Sequence, residues 1–118
     1  MSLQSPGNLA CSLLLIACLA GAGCTSAVFG DVTYTGNELH VAITNSGVET
    51  EAWVQVTVFE LKDFHQEEVQ SIQQEIVLKN GSNEIVIPAK LAPGRYKLYL
   101  YILKPGERQT ATIRDIVV

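Results

Sequence analysis

A chain of 118 residues has room for one modest core, and so for one domain. Its formal net charge of −4 and pI near 5.0 leave no basic footprint to hold phosphates, which argues against nucleic acid and gives an anionic membrane surface no electrostatic hold. All eight basic and all twelve acidic side chains lie at or beyond Asp31, whereas all three Cys lie at or before Cys24, so two physically different segments are joined.

The first is the run from Leu9 to Gly23, almost wholly apolar or small. As a helix it would span roughly 22 Å, short of the ~30 Å hydrocarbon layer, a length that suits the core of an export signal rather than a membrane span. No Lys or Arg precedes it. Leu15-Ile16-Ala17-Cys18 resembles the end of a bacterial-type lipoprotein signal, where an apolar run and a small residue precede a lipidated Cys. Gly21-Ala22-Gly23-Cys24 matches that pattern less closely, but it is followed by the polar tether Thr25-Ser26. The resemblance implies a lipid anchor at Cys24 or Cys18, with a plain cleaved signal peptide or a retained anchor helix as the alternatives. Residues 1–24 are therefore read as the leader and 28–118 as the domain. Behind such a leader a lone Cys fits lipidation, and no disulfide is expected in the domain.

The domain alternates with period two in short runs divided by turn signals, the pattern of an all-β sandwich. Asp31–Thr35 is the first expected strand, closed by Gly36-Asn37, and Glu38–Thr44 is the second, with Leu39, Val41 and Ile43 on one face. Ala52–Leu61 is the third, with Val54, Val56 and Val58 inward. Leu61, Phe64, Ile72 and Ile76 can be read at helical spacing, but Ile72, Ile76 and Leu78 also alternate as a strand, and in a sandwich a loop over Lys62–Glu68 followed by a strand from Val69 to Lys79 is the expected form. Asn80-Gly81 reads as a hairpin turn to Asn83–Ile87, which Pro88 stops. Pro93-Gly94 is a turn that feeds Tyr96 into a long strand reaching Lys104, and Pro105-Gly106 is the turn before a last strand, Gln109–Val118. Tyr96 stands where a tyrosine corner sits in immunoglobulin-like sandwiches. The expected fold is an all-β, Ig-like antiparallel sandwich of about seven strands.

Ile43-Thr44-Asn45-Ser46-Gly47 and Leu91-Ala92-Pro93-Gly94-Arg95-Tyr96 resemble two turn motifs of the CARDB domains (cell-adhesion-related domains of bacteria and archaea) and, more loosely, of fibronectin type III modules. The resemblance covers about residues 32–118. It implies an extracytoplasmic Ig-like module for adhesion, display or spacing, without catalysis, and it carries no binding residues over.

The residues themselves offer no catalytic constellation. The domain has no Cys, the only Met is Met1, and His40 and His65 stand apart, so the ligand sets of copper and zinc sites are missing and no cofactor is expected. His40 points away from the core by alternation; His65 lies in the acidic stretch Asp63–Glu68. No Gly-x-Ser-x-Gly elbow or phosphate-cradling Gly-rich loop is present. Asn80-Gly81-Ser82 fits a glycosylation acceptor but is read as turn chemistry. If Val54, Val56 and Val58 face in, Trp53, Gln55, Thr57 and Phe59 face out; if Tyr96, Leu98, Leu100 and Ile102 face in, Tyr99, Tyr101 and Leu103 face out. In an Ig-like sandwich these two strands are neighbours, so Trp53, Phe59, Tyr99 and Tyr101 would form an exposed stripe for a protein partner, a carbohydrate or a second copy. A bulge turning Trp53 inward, or cover from residues 62–79, would abolish it. The expected function is a non-catalytic binding or structural module at the cell envelope. The alternative is a secreted inhibitor or accessory subunit of an envelope enzyme or protease, with Ser46–Glu51 and Pro105–Arg108 as the inserting loops.

Overall fold

The structure is a computed structural model, and it describes residues 25–118. The leader, with Cys18 and Cys24, lies outside the described residues. Seven strands follow in chain order: β1 (Ala27–Thr35), β2 (Glu38–Asn45), β3 (Thr50–Lys62), β4 (His65–Leu78), β5 (Gly81–Pro88), β6 (Arg95–Leu103) and β7 (Thr110–Val117). They form two antiparallel sheets in the orders β1-β2-β5 and β4-β3-β6-β7. This is the expected Ig-like all-β sandwich, and no helix long and apolar enough to cross a membrane occurs among the described residues.

Alternation builds the core. Leu39, Val41 and Ile43 of β2, Val54, Val56 and Val58 of β3, and Leu98, Leu100 and Ile102 of β6 are all buried between the sheets. Each side chain of that size contributes roughly 1.5–3 kcal/mol when taken fully out of water. Ile76 and Leu78 of β4, and Ile85 and Ile87 of β5, close the layer.

Turns then fix the register. Gly36 and Asn37 both take positive φ (58° and 61°), as a two-residue type I′ hairpin between β1 and β2 requires. A register shift between Phe29 and Val32 in β1 places one extra residue there, at Gly30-Asp31; a Cβ on Gly30 would stand 3.2 Å from the Cβ of Ala42. Tyr96 makes the expected corner: its hydroxyl donates to the Ala92 carbonyl at 2.6 Å. Tyr34 braces the same end, donating to the Ala89 carbonyl at 2.7 Å and accepting from the Leu91 N–H at 3.0 Å.

Three expectations are corrected. Lys62–Glu68 is not a loop: the β3–β4 hairpin turns at Asp63-Phe64, both at positive φ (51° and 67°), and pairing resumes at Lys62↔His65. Asp tolerates that region, but an aromatic residue there costs on the order of 1–3 kcal/mol, so Phe64 gives no sign of the turn in the sequence. β1 begins at Ala27, four residues before the expected start at Asp31, because Ala27 and Phe29 point into the core. Asn80-Gly81 is a crossing and not a hairpin turn, since β4 and β5 belong to different sheets. Asn80 does not take the positive φ of a type I′ turn, and its amide donates instead to the Gly47 carbonyl at 2.8 Å.

Candidate functional site

The outward face of β4-β3-β6-β7 is set by the same alternation that buries the valines. Register places Glu75, Trp53 and Leu103 side by side; then Gln73, Gln55, Tyr101 and Ala111; then Ser71, Thr57, Tyr99 and Ile113; then Glu68, Phe59, Lys97 and Asp115. Trp53, Phe59, Tyr99 and Tyr101 therefore share one continuous face, as the alternation of β3 and β6 predicts. Trp53 is not turned inward: it is 48% exposed. Nor do residues 62–79 cover the stripe, because β4 pairs beside β3 and extends the face. Phe59 and Tyr99 meet edge to face, with ring centroids 5.2 Å apart, which holds both rings in place.

Around Trp53 the surface is concave. A depression of ≈ 140 Å³ is lined by Trp53, Gln55, Gln73 and Leu103, with a single contact between the two amides, Gln73 Nε2 donating to Gln55 Oε1 at 3.4 Å. The face carries its charges at the edges: Glu68 and Glu75 on β4, and Lys97 paired with Asp115 at 3.1 Å. Its centre is uncharged.

A second cluster was not anticipated. β6 alternation continues one step past Leu103 and puts Lys104 inside, its side chain 5% exposed. The Lys104 ammonium donates to Asn45 Oδ1 at 3.0 Å and to the Ser26 hydroxyl, and pairs with Glu107 at 3.2 Å. Glu107 also receives the Ser26 N–H at 2.8 Å, and the Ser26 hydroxyl lies within hydrogen-bond reach of it. These bonds from Ser26 and the nearby ammonium hold the Glu107 carboxyl below its ordinary value, against the opposing effect of burial. Asn45 completes the set, taking the Gly47 N–H at 3.1 Å and donating to the Val48 carbonyl at 3.2 Å. The sequence signal was available: Tyr96, Leu98, Leu100 and Ile102 extrapolate directly to Lys104. With every polar group partnered, the cluster is a lock that ties the start of β1 to the loops after β2 and β6. It offers no free group for chemistry. The two loops proposed as an inhibitory plug, Ser46–Glu51 and Pro105–Arg108, are thereby fastened at one end of the sandwich.

The histidines remain apart. His40 faces solvent on the other sheet between Glu84 (3.3 Å) and Glu38 (3.7 Å), and His65 contacts the Asp63 carbonyl at 3.3 Å beside the hairpin tip. No cluster of three or more potential metal ligands occurs among the described residues. A wider concavity of ≈ 520 Å³ is an open surface around that tip, lined by residues 61–66 and Arg95.

No family model and no curated protein matches the chain. Among solved structures, the curli protein CsgC of E. coli is similar, with a TM-score of 0.44 at 11% identity over 76% of this chain and 97% of that one.

Proposed function

We propose that the chain is a non-catalytic Ig-like binding module, exported to the cell envelope and anchored there by a lipid on Cys24 or Cys18, which meets its partner through the outward face of β4-β3-β6-β7. The observation that carries this reading is the aromatic face itself. Trp53 is exposed and Phe59, Tyr99 and Tyr101 are half-buried on the outward side of a sheet whose inward side already fills the core, so folding alone does not require them there. Aromatic residues at the centre of a patch, with charge at its edge, are the composition of protein contact surfaces. The Tyr96 corner supports the likeness to CARDB and fibronectin type III modules, and the apolar leader supports export.

The polar lock bears on the anchor. Ser26 is held to the body by Glu107 and Lys104, so Thr25 alone would separate a lipidated Cys24 from the folded domain. A lipidated Cys18 would instead place residues 19–25 between the lipid and the domain. Mass spectrometry of the mature N-terminus distinguishes the two.

The test of the face is a paired substitution. Tyr99→Ser with Tyr101→Ser should abolish crosslinked partner capture or self-association in the native envelope while leaving the circular dichroism spectrum and cooperative unfolding in place. Unchanged association in a folded double variant overturns the reading.

A further inference from the structure

We propose that the depression beside Trp53 is a subsite for one ring of a neutral oligosaccharide. This deepens the reading of the aromatic face as the contact surface and rests on it. The four lining side chains supply two kinds of surface. The half-exposed indole of Trp53 and the exposed edge of Leu103 are apolar; Gln55 and Gln73 are amides, each with two donors and an acceptor. Only one of those groups on each amide is engaged, in the 3.4 Å contact between them. The rest face the depression or solvent.

Charge and desolvation select the occupant. No cation lines the depression, and Lys97, the nearest on this face by register, is already paired with Asp115, so a sulfated or uronic chain would find no counter-charge. An apolar side chain from a protein would cover two amides without replacing their water, at a cost of roughly 1–3 kcal/mol for each group left unpaired. A neutral pyranose avoids both penalties. One of its faces is a set of C–H groups, weakly positive, which lies against the negative face of an indole. Its rim is hydroxyl, matching the donors and acceptors of the two glutamines. The volume of the depression is at the scale of one such ring. Register continues the path: Tyr101 sits opposite Gln55, and Tyr99 two residues farther along β6, a step of about 6.6–6.8 Å on the same face. A chain of sugars can therefore run from Trp53 along β6, and a single sugar would use only the first position.

Trp53 is the only tryptophan in the chain, so its emission reports this subsite alone. The full chain, held in a sugar-free zwitterionic detergent, is titrated with a panel of neutral β-1,4-linked hexaoses of glucose and N-acetylglucosamine, with hexagalacturonate, and with tetramethylammonium chloride. A saturable emission shift with a neutral hexaose is expected, insensitive to salt and absent with hexagalacturonate. Gln73→Leu should weaken it about tenfold, since each amide bond lost is a factor of that order. Silence across the neutral panel overturns the proposal. So does a shift given by tetramethylammonium and abolished by salt, which would make Trp53 and Glu75 a cation site. If the Tyr99→Ser, Tyr101→Ser pair loses protein capture while the hexaoses are silent, the subsite falls and the contact face stands. If hexaoses bind and the paired variant captures its partner unchanged, the subsite stands and the protein-contact reading falls.

Discussion

The two outward faces of this sandwich follow one rule of alternation and carry different chemistry. On β1-β2-β5, Thr33 lies opposite His40, Ala42 opposite Glu84 and Thr44 opposite Ser82, with His40 between two glutamates. With Val28 and Val86 they make a face of small, β-branched or charged side chains with no aromatic ring among them, the usual furnishing of a strand exposed to water. On β4-β3-β6-β7 the corresponding places hold Trp53, Tyr101, Tyr99 and Phe59. The buried hydrophobic sets of the two sheets are alike in character, aliphatic apart from Phe29 and Tyr96, with Tyr34 packed against them. Fold stability therefore constrains the inward residues, and the outward residues are where the two sheets are free to differ. That freedom makes the aromatic face informative.

The comparison breaks most completely if the shared core is breached. Leu100 is fully buried between Tyr99 and Tyr101, and Leu100→Ala should cost about 2–5 kcal/mol in chemical denaturation, so that any loss of association follows from unfolding. The next largest effect tests the buried ammonium just beyond β6. Lys104→Ala leaves Asn45 and Glu107 without their ammonium and should cost about 2–4 kcal/mol. The acid response of the same cluster has a definite sign. Because the folded Glu107 carboxyl lies below its ordinary value, its contribution is fully present above the unfolded value of about 4.3 and is lost as pH falls through the lowered folded value. The denaturation midpoint should drop over that window in the native chain, and the drop should shrink in Glu107→Gln. A midpoint equally pH-dependent in both would contradict the lock. The smallest stability effect gives the sharpest contrast between faces. Tyr101→Glu and Val86→Glu each place an acid on a solvent face, and each should change stability by no more than about 1 kcal/mol, yet only Tyr101→Glu should remove association.

Particular residues show what the sequence made legible. Val54, Val56 and Val58, and Leu98, Leu100 and Ile102, alternate without interruption, so the two central strands, their inward faces and their outward aromatics could be read directly. The β3–β4 tip could not, because Asp63-Phe64 reaches positive φ without Gly or Asn, and surrounding strand pairing imposes what local chemistry disfavours. Asn80-Gly81 misled in the opposite way: its local chemistry favours a hairpin, but which sheet the next strand joins depends on contacts with β2. Lys104 was hidden by its neighbours, since Lys104-Pro105-Gly106 looks like solvent-exposed turn composition. Only strict extrapolation of β6 reveals that its ammonium points inward. The depression at Trp53 was half legible. Trp53 and Gln55 share a strand face in the sequence, but Gln73 and Leu103 join them only through pairing on either side of β3.

The strand order also has a consequence in time. β2 finds its second neighbour only in β5, and β3 finds its second only in β6, so the two sheets are interleaved along the chain. Neither sheet can be finished as a local unit, and pairing across such separations is slow because loop closure precedes any reward in contacts. Until Arg95–Leu103 pairs with it, β3 has one open edge, and the valines Val54, Val56 and Val58 lack their in-sheet neighbours Ile102, Leu100 and Leu98. Two open-edged ribbons, β1-β2 and β3-β4, are all that local pairing can make before β5 and β6 join them.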